Sequence, residues 1–284
     1  MVILYFHGGA YFQPITSGMF LYMQHFVSTF SRSTGKSVAA LVVAYTLAPE
    51  AGFPTQIHEG AALLRYLVSS SPHSESPSGS RPRRKPSSIF LAGDSAGGNI
   101  ALGLISHGLH PLPGVEEVKL QEPLGGMLLY SPSVTSSMQW DSMQRNKEKD
   151  MLPVEKVPVW GALYSGQVAS LQVNGEELMV QTSPYLEPCV AGEEWWRDMS
   201  RAVKTVLVMS GGDELFADPI RKLEADMRMG LSDDDAHQHN VLFVETPGET
   251  HIGPIVSFMT RGGKGDTIGS ERVVEEWWKA RLAE

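Results

Sequence analysis

The chain has a single cysteine, Cys189, among its 284 residues. An intrachain disulfide is therefore excluded, and so is a metal centre built from a cysteine cluster. The nine histidines show none of the tight spacings that metal-ligand sets use. Basic residues are outnumbered, 23 Lys and Arg against 32 Asp and Glu, which gives a net charge of −9. An acidic molecule is repelled at long range by nucleic acid and by anionic membrane surfaces. No apolar run approaches the roughly 20 residues that cross a bilayer, and Met1 to Phe6 lacks the basic region and cleavage site of a signal peptide. The absences together predict a cytoplasmic protein with a small neutral partner, without metal, nucleic acid or membrane span.

What is present is an alternation of strand and helix signals. With 42% hydrophobic and 19% charged residues, the chain can bury a substantial core within one α/β domain. Short β-rich runs occur at Val2–Phe6, Ser37–Val43, Ser88–Ala92, Gly126–Tyr130, Thr205–Met209 and Val241–Glu245. Most are continuously apolar rather than alternating, the pattern of strands covered on both faces. Helical patterns lie between them, at Met19–Ser31, Pro54–Ser69, Gly98–His107, Ile220–Met229 and Ser270–Ala283, with Ser270 read as an N-cap. The alternation predicts a mostly parallel central sheet with helices on both faces. Residues 69–88, rich in Ser and Pro, read as a solvated loop, their Arg-Pro-Arg-Arg-Lys run included.

One stretch carries chemistry by itself: "IFLAGDSAGGNIALGLISH", Ile89 to His107. A strand runs into Gly93-Asp94-Ser95-Ala96-Gly97 and a helix follows at once, the context of a G-x-S-x-G nucleophile elbow. Ser95 then sits on a sharp turn at strained φ/ψ, and glycines two before and two after let neighbouring backbones pass. The helix N-terminus makes the N–H of Ala96 available to an oxyanion.

A serine hydroxyl needs a base, and the base an orienting acid, in the chain order Ser, acid, His. "TVLVMSGGDELFAD" delivers Asp213 beyond the end of its strand, and "NVLFVETPGETHIGPI" places His251 in the loop before a new helix. Asp218 is the rival acid, with N-capping as its simpler role; Glu214 is read as pointing away. His237 and His239 precede their strand rather than follow it and fit the base less well. The opening "VILYFHGGAYF" supplies a glycine turn after the first strand, His7-Gly8-Gly9-Ala10. In an HGGG-type loop the backbone N–H groups face the substrate and complete an oxyanion hole.

Through "HGGAY", "LAPEAGFPTQIHEGAALLRYL", "GDSAGGNIALGLISH", "GGDELFADP" and the His of "ETHIG", the chain resembles the hormone-sensitive-lipase-like esterase branch of the α/β-hydrolases. "GDSAGGNIALGLISHGLHPLPG" looks like fungal members in particular. The resemblance implies Ser95 as nucleophile, Asp213 as acid, His251 as base, the N–H groups of Gly9, Ala10 and Ala96 as oxyanion hole, and no cofactor. It also implies a single domain over residues 1–284 with a reduced cap, inserted at about 135–190. Tyr11, Trp140, Met143, Trp160 and Tyr164 are the candidate lining of its pocket, with plain packing of the cap onto the core as the favoured alternative for the last four.

The expected reaction is hydrolysis of short, acetyl-like esters of small to medium hydrophobic molecules, with an acetylated fungal polyketide as one candidate. An acyltransferase with the same triad, or a non-catalytic ligand receptor on the same fold, are the alternatives. Three departures from the branch stand out. Ala10 replaces the third glycine, Ala44-Tyr45-Thr46 stands where members carry Asp-Tyr-Arg, and six residues precede His7 where members have a longer segment. The last departure predicts a strand near a sheet edge, uncovered Tyr11, Phe12 and Phe20, an unusually open site, and dimerisation or aggregation.

Overall fold

A computed structural model of the chain describes residues 1–69, 83–167, 182–231, 240–262 and 269–283. Most of the Ser- and Pro-rich loop, and both His237 and His239, lie outside the described residues. Six strands form one sheet: β1 Val2–Phe6, β2 Ala39–Val43, β3 Ile89–Asp94, β4 Gly126–Tyr130, β5 Thr205–Gly211 and β6 Asn240–Thr246. Their spatial order is β2-β1-β3-β4-β5-β6, and every pairing is parallel.

The side-chain period of two divides each strand between two cores. Val2, Leu4 and Phe6 of β1, with Ile89, Leu91, Met127, Leu129, Val206 and Val208, pack on one face. That face is covered by α2 (Thr55–Val68), α3 (Ala96–Leu109) and α6 (Ala217–Gly230). Ile3, Tyr5, Phe90, Ala92, Leu128, Tyr130, Leu207 and Met209 face the other way, onto α1 (Ser17–Thr34), α7 (Gly253–Thr260) and α8 (Gly269–Ala283). The continuous apolar runs of β1, β3, β4 and β5 are thus strands buried on both sides. Ser270 proves to lie within α8 and to donate its hydroxyl to Glu249 Oε1 at 2.7 Å, so it is not the cap that the sequence suggested.

Between β4 and β5 the chain leaves the sheet. The described residues of this insertion include two short helices, α4 Asp141–Arg145 and α5 Val157–Ser165. The order of the strands fixes where a site can form. The chain passes from β1 through α1 to β2 on one side, and from β3 through α3 to β4 on the other. β1 and β3 are neighbours whose following loops depart to opposite faces, and the crevice between such loops is where open α/β sheets bind ligands. The loop after β1 is Gly8–Tyr11, and the loop after β3 is Ser95.

Candidate active site

Ser95 occupies φ 51°, ψ −119° between the end of β3 and the first residue of α3. The conformation is held from both sides. Its N–H donates to Tyr130 O at 2.9 Å, and its carbonyl accepts from Ser133 N at 2.9 Å and from Asn99 N at 3.2 Å. The flanking glycines are sterically obligatory: a Cβ on Gly97 would stand 2.0 Å from Phe6 O, and one on Gly93 2.5 Å from the Gly97 backbone. The non-glycine residues with positive φ, among those described, are Ala10, Tyr11, Ser95, Ser131 and Ile252. All belong to this end of the sheet. Backbone strain of about 1–3 kcal/mol per residue persists only where the surroundings over-determine it, and it concentrates at functional sites.

The loop after β1 is tied to the elbow by Asp94. This buried carboxylate accepts the N–H of Gly8 at 2.9 Å and the hydroxyl of Tyr5, while burial raises its pKa to about 6. Asp94 lies so close that a Cβ on Gly8 would be 2.2 Å from its Oδ2. Gly9 at φ 112° and Ala10 at φ 51° then turn the chain. The N–H groups of Gly9, Ala10 and Ala96 enter no hydrogen bond among the described residues. Thr46 meets Glu59 with both its N–H at 2.9 Å and its hydroxyl at 2.5 Å, so that carboxylate is satisfied without an arginine at this position.

His251 follows β6 and is 2% exposed. Among the described residues neither ring nitrogen has a hydrogen-bond partner, and burial lowers its pKa, which leaves the imidazole neutral. The carboxylate that the structure brings to it is not the one expected. Asp213 turns outward, one-third exposed, and pairs with Lys149 Nζ at 2.8 Å. Glu214, read from the sequence as pointing away, is fully buried and places Oε2 3.9 Å from His251 Nδ1.

The reason is local. β5 runs on to Gly211, and the chain then folds so that Glu214 returns beneath the strand end. There Oε2 accepts Gly211 N at 3.1 Å and Ser131 Oγ at 2.5 Å. Ser131 Oγ in turn accepts the N–H of Ile252 at 2.9 Å, linking the acid to the histidine loop. Burial raises the Glu214 pKa to about 8. Asp218, the rival acid, serves structure: Oδ2 accepts Ser142 N at the start of α4 at 2.7 Å. Burial opposes its charge, but Arg145 and Arg221 outweigh burial and hold its pKa down.

A cavity of 230 Å³ opens between these parts, lined by Gly9, Ala10, Tyr11, Ser95, Ala96 and His251 from the sheet side. The insertion contributes Leu152, Val157, Trp160 and Tyr164, and the loop after β5 contributes Phe216. Of the candidate lining, Tyr11, Trp160 and Tyr164 border this cavity. Trp140 is not in the lining and packs half-buried on the core, and Met143 is a core residue. Tyr11, expected to be uncovered, is buried and stacks on Tyr164 with ring centroids 3.8 Å apart. The insertion covers it. Phe12 is half-buried, and only Phe20 of the three expected aromatics is exposed.

A profile of the alpha/beta hydrolase fold matches residues 3–252. The chain belongs to this family. Among solved structures, an esterase from the bacterial hormone-sensitive lipase family has a TM-score of 0.67 at 23% identity, over 99% of this chain and 76% of its own. An esterase/lipase from an uncultured bacterium gives 0.66 at 23%, over 100% and 77%. The structure of EstE5 soaked with p-nitrophenyl butyrate gives the same figures. What this hydrolase shares with them at such identities is the fold. No curated protein matches the chain. Among the described residues no His, Cys, Asp and Glu cluster is suited to a metal ion, and no helix is long and apolar enough to cross a membrane.

Proposed function

We propose that the chain is a serine carboxylesterase that hydrolyses short-acyl esters, with Ser95 as nucleophile, His251 as base and Glu214, in place of Asp213, as the acid. The observation that carries this reading is the convergence on one cavity of a strained serine, a buried neutral histidine and backbone N–H groups that have no partner among the described residues. In the reaction, His251 takes the Ser95 proton as Oγ attacks the ester carbonyl. The negative charge that develops on the carbonyl oxygen is received by the N–H groups of Gly9, Ala10 and Ala96. The tetrahedral intermediate collapses, and the alcohol leaves with the proton returned by His251. Water, deprotonated by the same imidazole, then releases the acid from Ser95. Glu214 stabilises the imidazolium formed in each half.

The cavity argues for the acyl length. At 230 Å³ it is smaller than the about 300–1,000 Å³ typical of pockets for drug-sized ligands. Among the described residues its lining offers no Lys or Arg to a charged group. An acetyl or butyryl ester of a larger hydrophobic alcohol fits these limits. On a panel of p-nitrophenyl esters, acetate and butyrate should turn over at least ~10-fold faster than palmitate, since each buried methylene contributes about 0.8 kcal/mol only where the pocket can hold it. Ser95→Ala should abolish turnover without loss of fold. Palmitate cleaved as fast as butyrate would overturn the chain-length reading, and a Ser95→Ala protein with half the activity would overturn the nucleophile.

A further inference from the structure

The insertion does more than cover the cavity. Ser142, Asn146 and Asp150 recur every fourth residue; all three grip the loop that carries the acid, and Asp150 also grips the loop that carries the base. Ser142 Oγ donates to Leu215 O at 2.6 Å. Asn146 Nδ2 donates to Gly212 O at 3.1 Å and to Glu214 O at 2.8 Å. Asp150 reaches furthest: Oδ2 accepts the N–H of Leu215 at 2.7 Å, and Oδ1 accepts the N–H of His251 at 3.1 Å and that of Met151 at 2.7 Å. One carboxylate therefore holds the residue after Glu214 and His251 itself. Sequence reading passed over Asp150 because it lies in a charged stretch, "RNKEKD", that reads as a solvated surface.

We propose that Asp150 is a positioning residue, whose carboxylate fastens the β5–α6 loop to the β6–α7 loop and so sets the register of Glu214 against His251. The proposal rests on the assignment of those two residues as acid and base. A carboxylate suits this position because hydrogen bonds to an ionised acceptor are about twice as strong as neutral ones, and it satisfies three backbone donors at once. A neutral amide cannot replace it. In Asp150→Asn, Oδ1 can still accept from His251, but the amino group would confront the N–H of Leu215, donor against donor. The acid loop would then be released while the histidine loop stayed held.

The carboxylate also acts on the base through space. Around the imidazole stand Glu214 from the β5–α6 loop, Asp150 from the insertion and, along the cavity, Asp94 from the elbow and Glu187 from the insertion. The nearby cation Lys149 is paired with Asp213. Burial depresses the His251 pKa, and the charge of Asp150 works against that depression. Removing the charge should move the His251 titration to lower pH.

The test compares the full chain with Asp150→Asn and Asp150→Ala by steady-state kinetics on p-nitrophenyl butyrate, pH profiles of kcat/KM, and imidazole ¹⁵N titration of His251. A misplacement of about 1 Å costs roughly 10²-fold, so kcat should fall about 100-fold with KM within threefold. The acidic limb of kcat/KM and the His251 titration should both shift to lower pH. A residue that merely stabilised the fold would lower Tm and leave kcat and both titrations in place.

A folded Asp150→Asn with kcat within twofold of the parent and an unmoved His251 titration overturns the proposal. If neither variant folds, amide exchange of the unaltered chain decides: the Leu215 and His251 N–H groups protected supports it, and both exchanging freely overturns it. Should the parent hydrolyse no ester, the functional assignment fails, while the ¹⁵N titration and the exchange still judge Asp150.

Discussion

Asp213 and Glu214 are chemically near-equivalent neighbours, yet the structure gives them opposite surroundings. Asp213 meets solvent and Lys149; Glu214 is buried against Ser131 and His251. Glu214→Gln keeps the volume and removes the carboxyl whose ionised form would stabilise the imidazolium, so kcat should fall by roughly 10⁴, as when the aspartate of a serine-protease triad becomes asparagine. Asp213→Asn loses a surface ion pair worth about 1 kcal/mol or less and should leave kcat within twofold. Initial rates on p-nitrophenyl butyrate settle the order, and the reverse result would return the acid's role to Asp213. Residue types and chain order were enough to place Ser95 and His251 beside one cavity. They could not choose between adjacent carboxylates. That choice depends on β5 continuing to Gly211 and on the turn that brings Glu214 back to its N–H, and neither leaves a trace in the apolar pattern.

At the scale of elements, the strands were the most legible part, because a buried parallel strand must be apolar throughout. The insertion was the least legible: its contacts with the loop after β5 are polar, through Ser142, Asn146 and Asp150, and show no periodicity of hydrophobic residues. The elbow lies between these extremes, since its glycines can be read from the motif but their necessity is steric. A Cβ on Gly97 would collide with the carbonyl of Phe6, a backbone atom of β1 that has no room to retreat. Gly108, near the other end of α3, has only Ala202 Cβ at 3.9 Å. Gly97→Ala should therefore cost about 3 kcal/mol or more, at or above the upper end of ordinary overpacking. Gly108→Ala should be neutral or gain up to about 1 kcal/mol from helix propensity. Urea denaturation of the two variants measures the contrast. Equal stabilities would mean that β1 and α3 are not packed as closely as the contact implies.

For the whole molecule the consequential feature is an unguarded edge. β2 closes one side of the sheet with the sequence Ala-Ala-Leu-Val-Val, which holds no charge and no proline, the two residue classes that commonly protect edges. Leu41 at its centre is 42% exposed, and Phe20 and Leu21 of α1 are more than half exposed. The opposite edge differs, since Glu245 of β6 is bound by Arg221 at 2.6 Å and puts charge along the strand. An apolar edge with free backbone donors and acceptors pairs with its like, and the net charge of −9 opposes such pairing only at distances within a Debye length, about 8 Å at physiological ionic strength. The average mass from light scattering should therefore rise with protein concentration. Raising the salt should strengthen the association by screening the repulsion. Leu41→Lys, which places a charge on the strand without touching the cavity, should hold the chain monomeric while leaving esterase activity as it was. A parent chain that stays monomeric at every concentration and salt would show that β2 is protected by its twist or by α1, and that its apolar sequence serves only the packing of its inner face.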